Sequence, residues 1–385
     1  MFAKKYVTRM TLVGSLVAAS FAGTLHAQDF RFAVGFAPGS ASTDGAEAFG
    51  EVLEQESDGT LSARIFALDL LGLGEMSGGV RDGIADVGNV LAPYFPSQFP
   101  HTNMVAELTM LLTLSDPPDG RHGMAYMGAV AEFMMLNCAD CLDEWAAQQQ
   151  VYLPNGATPE YQLMCTEPVR DQSELQGKRL RVAGAQWARW AEHFEASTVS
   201  LPGGEVFEAL SQGVVDCTVQ SSPELGNFQL KEVVTDITTD VPGGVFSGGA
   251  LSFNRSVWQG LDDKQREHVL RAAARLAGEV TWRYQAYGER DLEEAREAGV
   301  TVHDPSAELV EASRQFIEAD VARIAASYED NYDIADAEAK IAELRPMIED
   351  WMKRLEDTDV EDGEDLGDLY WEAIYSRVDP ASYGL

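Results

Sequence analysis

Basic charge is what this chain most lacks. It carries 28 lysines and arginines against 63 aspartates and glutamates in 385 residues, a formal net charge of −35. Lys4, Lys5 and Arg9 lie in the first 27 residues with no acid among them, so loss of that stretch takes the balance to −38. After it the lysines are Lys178, Lys231, Lys264, Lys340 and Lys353 alone. Such a surface repels nucleic acid and anionic lipid and has no basic stripe to hold either. It suits a salt-rich habitat, where a Debye length of about 3 Å at 1 M screens self-repulsion, or equally an ordinary acidic exported protein.

Long apolar runs are also scarce. The three early cations precede Met10 to Ala22, a run rich in Ala, Ser and Gly, and a small residue follows at Ala27. That is the pattern of an export signal cleaved near Ala27, too short for a membrane anchor. No later run approaches the ~18 apolar residues of a spanning helix, and the remaining length suits two lobes of ~100 to 200 residues each. The expected location is therefore outside the cytoplasm.

Catalytic signatures are missing as well. There is no GxSxG, no HExxH and no phosphate-binding glycine loop, and the six histidines are scattered. His122, His193 and His268 sit in polar helical segments and are expected to face solvent. The acidic run 355–367 reads as a solvated linker without EF-hand order. No enzyme activity, cofactor or metal is expected; a carboxylate-based enzyme is the remote alternative.

Four cysteines are present: Cys138, Cys141, Cys165 and Cys217. An even count in an oxidising compartment favours disulfides. Proximity suggests Cys138 with Cys141, leaving Cys165 and Cys217 on neighbouring strands. The CxxC could also be a redox centre or half a zinc site, but a redox cysteine wants a helix N-terminus behind it, and AVAEFMMLN reads as a helix ending.

The informative stretches are LQGKRLRVAGAQWARW (175–190) and LPGGEVFEALSQGVVDCTVQ (201–220). They read strand, helix, turn, helix, strand. Arg181 sits near the carboxyl end of the first strand, where open α/β sheets bind ligands, and its planar fork fits a carboxylate. This pattern resembles the solute-binding proteins of TRAP (tripartite ATP-independent periplasmic) transporters, a dicarboxylate-receptor family in which such a strand carries a carboxylate-binding arginine. Residues 47–66, 71–90 and 253–273 resemble further segments of the family, in the family's order. Two positions depart from it. Cys217 stands where a glycine is usual, and PEYQLMCTE (159–167) lacks the second arginine some relatives have.

The resemblance implies an α/β, two-lobe periplasmic binding protein fold with helix-flanked sheets, a central crevice and a long helix linking the lobes. The lobes are expected at 28–157 with 246–285 and at 158–245 with 286–330, followed by a C-terminal helical extension at 331–385. Arg181 would pair with the ligand carboxylate and Gln220 would be a polar contact. Trp187 and Phe246 would form apolar walls, with Tyr94 and Asn89 reaching in from the first lobe; Arg170 and Arg179 read as surface charges. The implied function is capture of a small organic acid for an ion-gradient-driven TRAP permease. A ligand-sensing partner of a receptor is the second reading. Dicarboxylates, sugar acids, keto acids and zwitterions all satisfy one arginine. Periodicity from Asp262 to Gly299 predicts one helix of roughly 55 Å or two meeting at Gly278. The aromatic end of the tail, DLYWEAIYSRVDP, is expected to dock on a lobe or to mediate a homodimer.

Overall fold

A computed structural model describes residues 28–114 and 121–385. The expected export signal lies outside the described residues. Two sheets organise the chain. The first takes β1 (Gln28–Val34), β2 (Leu61–Ala67), β3 (Val87–Leu91), β4 (Gln150–Pro154) and β10 (Gly249–Asn254), in the order β2-β1-β3-β10-β4. The second takes β5 (Glu160–Cys165), β6 (Arg179–Val182), β7 (Ser197–Ser200), β8 (Cys217–Gln220), β9 (Asp236–Val245) and β11 (Thr301–His303), in the order β11-β9-β5-β8-β6-β7. The helix after β1, Ala41–Glu56, is capped by Ser40, whose hydroxyl accepts from the Thr43 amide.

The chain passes between the sheets three times: from β4 to β5, from β9 back to β10, and along a long helix. The first two crossings are hydrogen-bonded to each other, with Thr158 N donating to Phe246 O at 3.0 Å and Phe246 N to the Thr158 hydroxyl at 2.9 Å. The third is a single helix, Asp263–Glu297, of 35 residues, about 52 Å long at 1.5 Å per residue. Asp262 and Gln265 close a reciprocal capping box at its start. Gly278 does not divide it. The glycine is there because another backbone crosses it: a Cβ at Gly278 would lie 2.3 Å from Gly367 N and 2.4 Å from Gly363 O. Both partners belong to the helix Gly363–Ala373 near the chain's end.

The tail therefore docks on its own molecule. Helix Ala307–Tyr332 serves both cores, Leu309, Phe316 and Ile317 joining that of the second sheet and Ile324 and Tyr328 that of the first. Helix Ala337–Glu356 continues through Pro346 and sets the Trp351 ring against Gly128. The Tyr370 hydroxyl donates to Met124 O at 2.8 Å, and the Tyr383 hydroxyl to Tyr152 O at 2.7 Å. The acidic run 355–367 is more than a linker, since the Asp362 carboxylate accepts from the amides of Glu364 and Asp365 and caps the last long helix.

Both cysteine pairs are disulfides. Cys165–Cys217 ties β5 to β8 at positions directly paired across the two strands. Cys138–Cys141 is buried, and Cys138 caps the helix Ala139–Ala147, so a helix N-terminus is present where the sequence suggested only a helix ending. Two histidine expectations are overturned, those for His122 and His268, the second of which packs its ring between the long helix and Glu56 with Nδ1 buried. His122 is buried and its Nδ1 lies 2.5 Å from Glu160 Oε1, because β5 brings that carboxylate over the first turn of the helix His122–Glu132. His268 is half-buried and His193 is exposed.

Candidate ligand-binding site

Arg181 is the third residue of β6, held in register between Thr218 of β8 and Val199 of β7. It is only 1% exposed. Its Nε and Nη2 donate to the Leu201 carbonyl at 2.9 and 2.7 Å, and Nη2 also donates to the Tyr94 hydroxyl at 3.1 Å. None of these partners is a carboxylate, and buried Nη1 has no hydrogen-bond partner. A desolvated guanidinium with an idle amino group is stable only where an anion can complete it.

The remaining polar groups converge from both sheets. Gln220 ends β8, buried, and its Nε2 has no hydrogen-bond partner, so a second N–H donor lines the same cavity. Asn89 on β3 accepts from the Asn155 amide at 2.8 Å. Tyr94, in the turn after β3, receives both Arg181 and the Gly203 amide, the latter at 3.0 Å, and so bridges the crevice from the first sheet to the second. Phe246 supplies an apolar wall from the second crossing. Trp187 does not reach the cavity. Its indole stacks behind Tyr161, centroids 4.1 Å apart, and donates to Gly243 O at 2.9 Å; Tyr161 is the ring that faces inward. Arg179 stays at the surface in an ion pair with Asp216, and Arg170 in one with Glu174.

Among the lining residues with no place in the sequence reading of the site are Tyr161, Tyr284 and Glu224. Glu224 opens the single helical turn Glu224–Asn227 just beyond β8, and that position, four residues past Gln220, was the signal available. It is 4% exposed. Asn227 Nδ2 donates to it at 3.1 Å, and the Tyr284 hydroxyl, itself bonded to Ser42, reaches it from the long helix. Burial pushes its carboxyl up to about 7, against the pull of Asn227, the Arg181 charge and Tyr284. Burial likewise raises the Tyr161 and Tyr284 hydroxyls, with the Glu224 charge adding to both. These groups line one cavity between the two sheets. Phe36 and Phe228 stack across its mouth, one from each side of the crevice, at 5.9 Å.

The model of the family "bacterial extracellular solute-binding protein, family 7" matches residues 32–328. The chain belongs to this family. Family 7 membership agrees with the shape: a TRAP solute-binding protein from a marine metagenome, crystallised with co-purified pyroglutamate, superposes with a TM-score of 0.70 at 16% identity over 83% of this chain and 99% of its own. An extracytoplasmic solute receptor of Bordetella pertussis that binds pyroglutamic acid gives 0.66 at 18% identity, covering 83% and 100%. A TRAP periplasmic solute-binding protein from Bordetella bronchiseptica with bound (R)- and (S)-mandelate gives 0.68 at 20% identity, covering 84% and 99%. A solute-binding protein of Albidiferax ferrireducens is 25% identical over 111 residues, 29% of this chain and 33% of that relative's length. The match to the family ends before the helices Ala337–Glu356 and Gly363–Ala373, which dock on the core of the first sheet. No helix among the described residues of this family 7 protein is long and apolar enough to cross a membrane.

Proposed function

We propose that this protein is an exported, periplasmic receptor that captures a small carboxylate in the crevice between its two sheets and hands it to a TRAP-type permease. The observation that carries the reading is the buried Arg181 guanidinium, which has no carboxylate partner and keeps Nη1 unpaired in the cavity that Gln220 also lines. The ligand carboxylate would complete that fork, Asn89, Tyr161 and Phe246 would shape the rest, and Tyr94 would couple closure to occupancy by bonding Arg181 across the crevice. On this reading the lobes divide at the two crossings and along the long helix. The structural neighbours bind pyroglutamate and mandelate, both compact monocarboxylates, which supports the ligand class. A homodimer through the tail is not part of this reading, because Trp351, Tyr370, Tyr375 and Tyr383 of the tail are buried within the chain. The test is calorimetry with pyroglutamate, mandelate and any acid that mass spectrometry finds on the native protein. Arg181→Ala should weaken binding 10²- to 10⁴-fold, the equivalent of the ~3 to 5 kcal/mol lost when a buried pair is broken. Arg179→Ala should change it little, as expected of an exposed pair contributing ~0 to 1 kcal/mol. Parental affinity in folded Arg181→Ala would refute the proposal.

A further inference from the structure

Two formal charges line the cavity, and they differ in sign: Arg181 from β6 and Glu224 from beyond β8. Neither appears among the other's hydrogen-bond partners. We propose that Glu224 selects for acids bearing an N–H or O–H donor away from the carboxylate, and against dicarboxylates. The inference rests on the reading of Arg181 as the partner of the ligand carboxylate.

Once a ligand carboxylate neutralises the guanidinium, Glu224 is the charge left uncompensated in a site that excludes water. A carboxylate accepts at about four lone-pair positions, and Asn227 and Tyr284 supply two donors to this one. It can still accept from a ligand. A polarised N–H, an ammonium or a hydroxyl meets that demand; a second ligand carboxylate would face a like charge at close range with little solvent between them. The groups facing Glu224 do not change this balance. Arg181 is committed to the first carboxylate, while burial keeps Tyr161 on β5 and Tyr284 on the long helix as neutral phenols. Asp291, also on the long helix, is already paired with Lys231 and Arg290. The cavity therefore complements a molecule that is anionic at one end and donates at the other, the pattern of a lactam acid, a hydroxy acid or a zwitterion.

A pH signature follows. A donating ligand prefers ionised Glu224, and burial holds that carboxyl near 7 in the free protein. Affinity should thus rise about tenfold from pH 6 to pH 8, as the ionised fraction does, while a ligand that only accepts should show the opposite slope.

The experiment is calorimetry on the full-length mature chain and on Glu224→Gln, with matched probes: pyroglutamate against its ring-oxygen lactone, mandelate against O-methylmandelate, and succinate and glutarate as dicarboxylates. In the parent, the donor-bearing member of at least one pair should bind at least tenfold tighter than its partner and than either dicarboxylate. Its affinity should rise with pH, and Glu224→Gln should flatten that profile. Should the Gln variant fail to fold, Glu224→Asp, with a shortened reach, should bind the same donor-bearing acid at least tenfold more weakly. A donor-free acid or a dicarboxylate that binds best, with binding lost in Arg181→Ala, would overturn the role of Glu224 and leave that of Arg181 standing. A pH profile unchanged in Glu224→Gln would also overturn it. If no probe bound the parent, both assignments would fall.

Discussion

Arg181 and Glu224 show how differently single residues can be read. The arginine interrupts an apolar strand, and a guanidinium in such a place demands an explanation from sequence alone. Replacement by lysine should restore only part of the affinity lost in Arg181→Ala, because an ammonium cannot reproduce the planar fork that already spans Leu201 and Tyr94; calorimetry of the two variants side by side measures the difference. Glu224 is one of 63 acidic residues, and only its tertiary burial sets it apart. In the ligand-free protein its carboxyl is raised from 4.5 to about 7. The folded state then binds a proton more tightly than the unfolded state, so this group costs stability as pH climbs from about 4.5 through 7. Glu224→Gln should therefore melt higher than the parent at pH 8, by up to about 3 kcal/mol, with the gap closing towards pH 4.5. A gap constant with pH would mean the carboxyl is not held protonated by burial. Trp187 illustrates the opposite failure of sequence reading: its strand-to-helix position points at the crevice, but Tyr161, from a strand about 25 residues earlier, occupies the layer in front of it.

At the level of elements, alternation and capping residues were legible and crossings were not. Ser306 and Asp262 announce their helices and cap them. Gly278 is ambiguous in one dimension, since a glycine that breaks a helix and one that admits another backbone look alike until the partner at Gly363 and Gly367 is known. Gly278→Leu should cost about 1 to 3 kcal/mol or more by overpacking, and limited proteolysis should find residues 356–385 released first; unchanged melting and proteolysis would show the crossing to be loose. The β5–β8 disulfide closes a loop of 52 residues, for which the chain-entropy model gives about 4 kcal/mol. Cys165→Ser with Cys217→Ser should lower the melting temperature accordingly, and thiol titration of the denatured, non-reduced parent should find no free thiol. The cysteine at position 217, unusual where the family carries glycine, is explained by that bond.

Over the whole molecule the acidic surface sets the response to its medium. With a formal net charge of −35, stability should increase from ~10 mM to ~1 M chloride as the Debye length shrinks from about 30 to 3 Å. Flat melting across that range would remove the case for a salt-rich habitat. The docked tail has a different kind of consequence. Trp351, Tyr370, Tyr375 and Tyr383 share one core with Phe30, Val87 and Phe253, so the first strands made on the ribosome acquire their last neighbours only when the final residues of the chain have been synthesised. Up to that moment the part of this core that Trp351, Tyr370, Tyr375 and Tyr383 fill has no cover, and a chain ended near residue 330 should aggregate more readily than the whole protein.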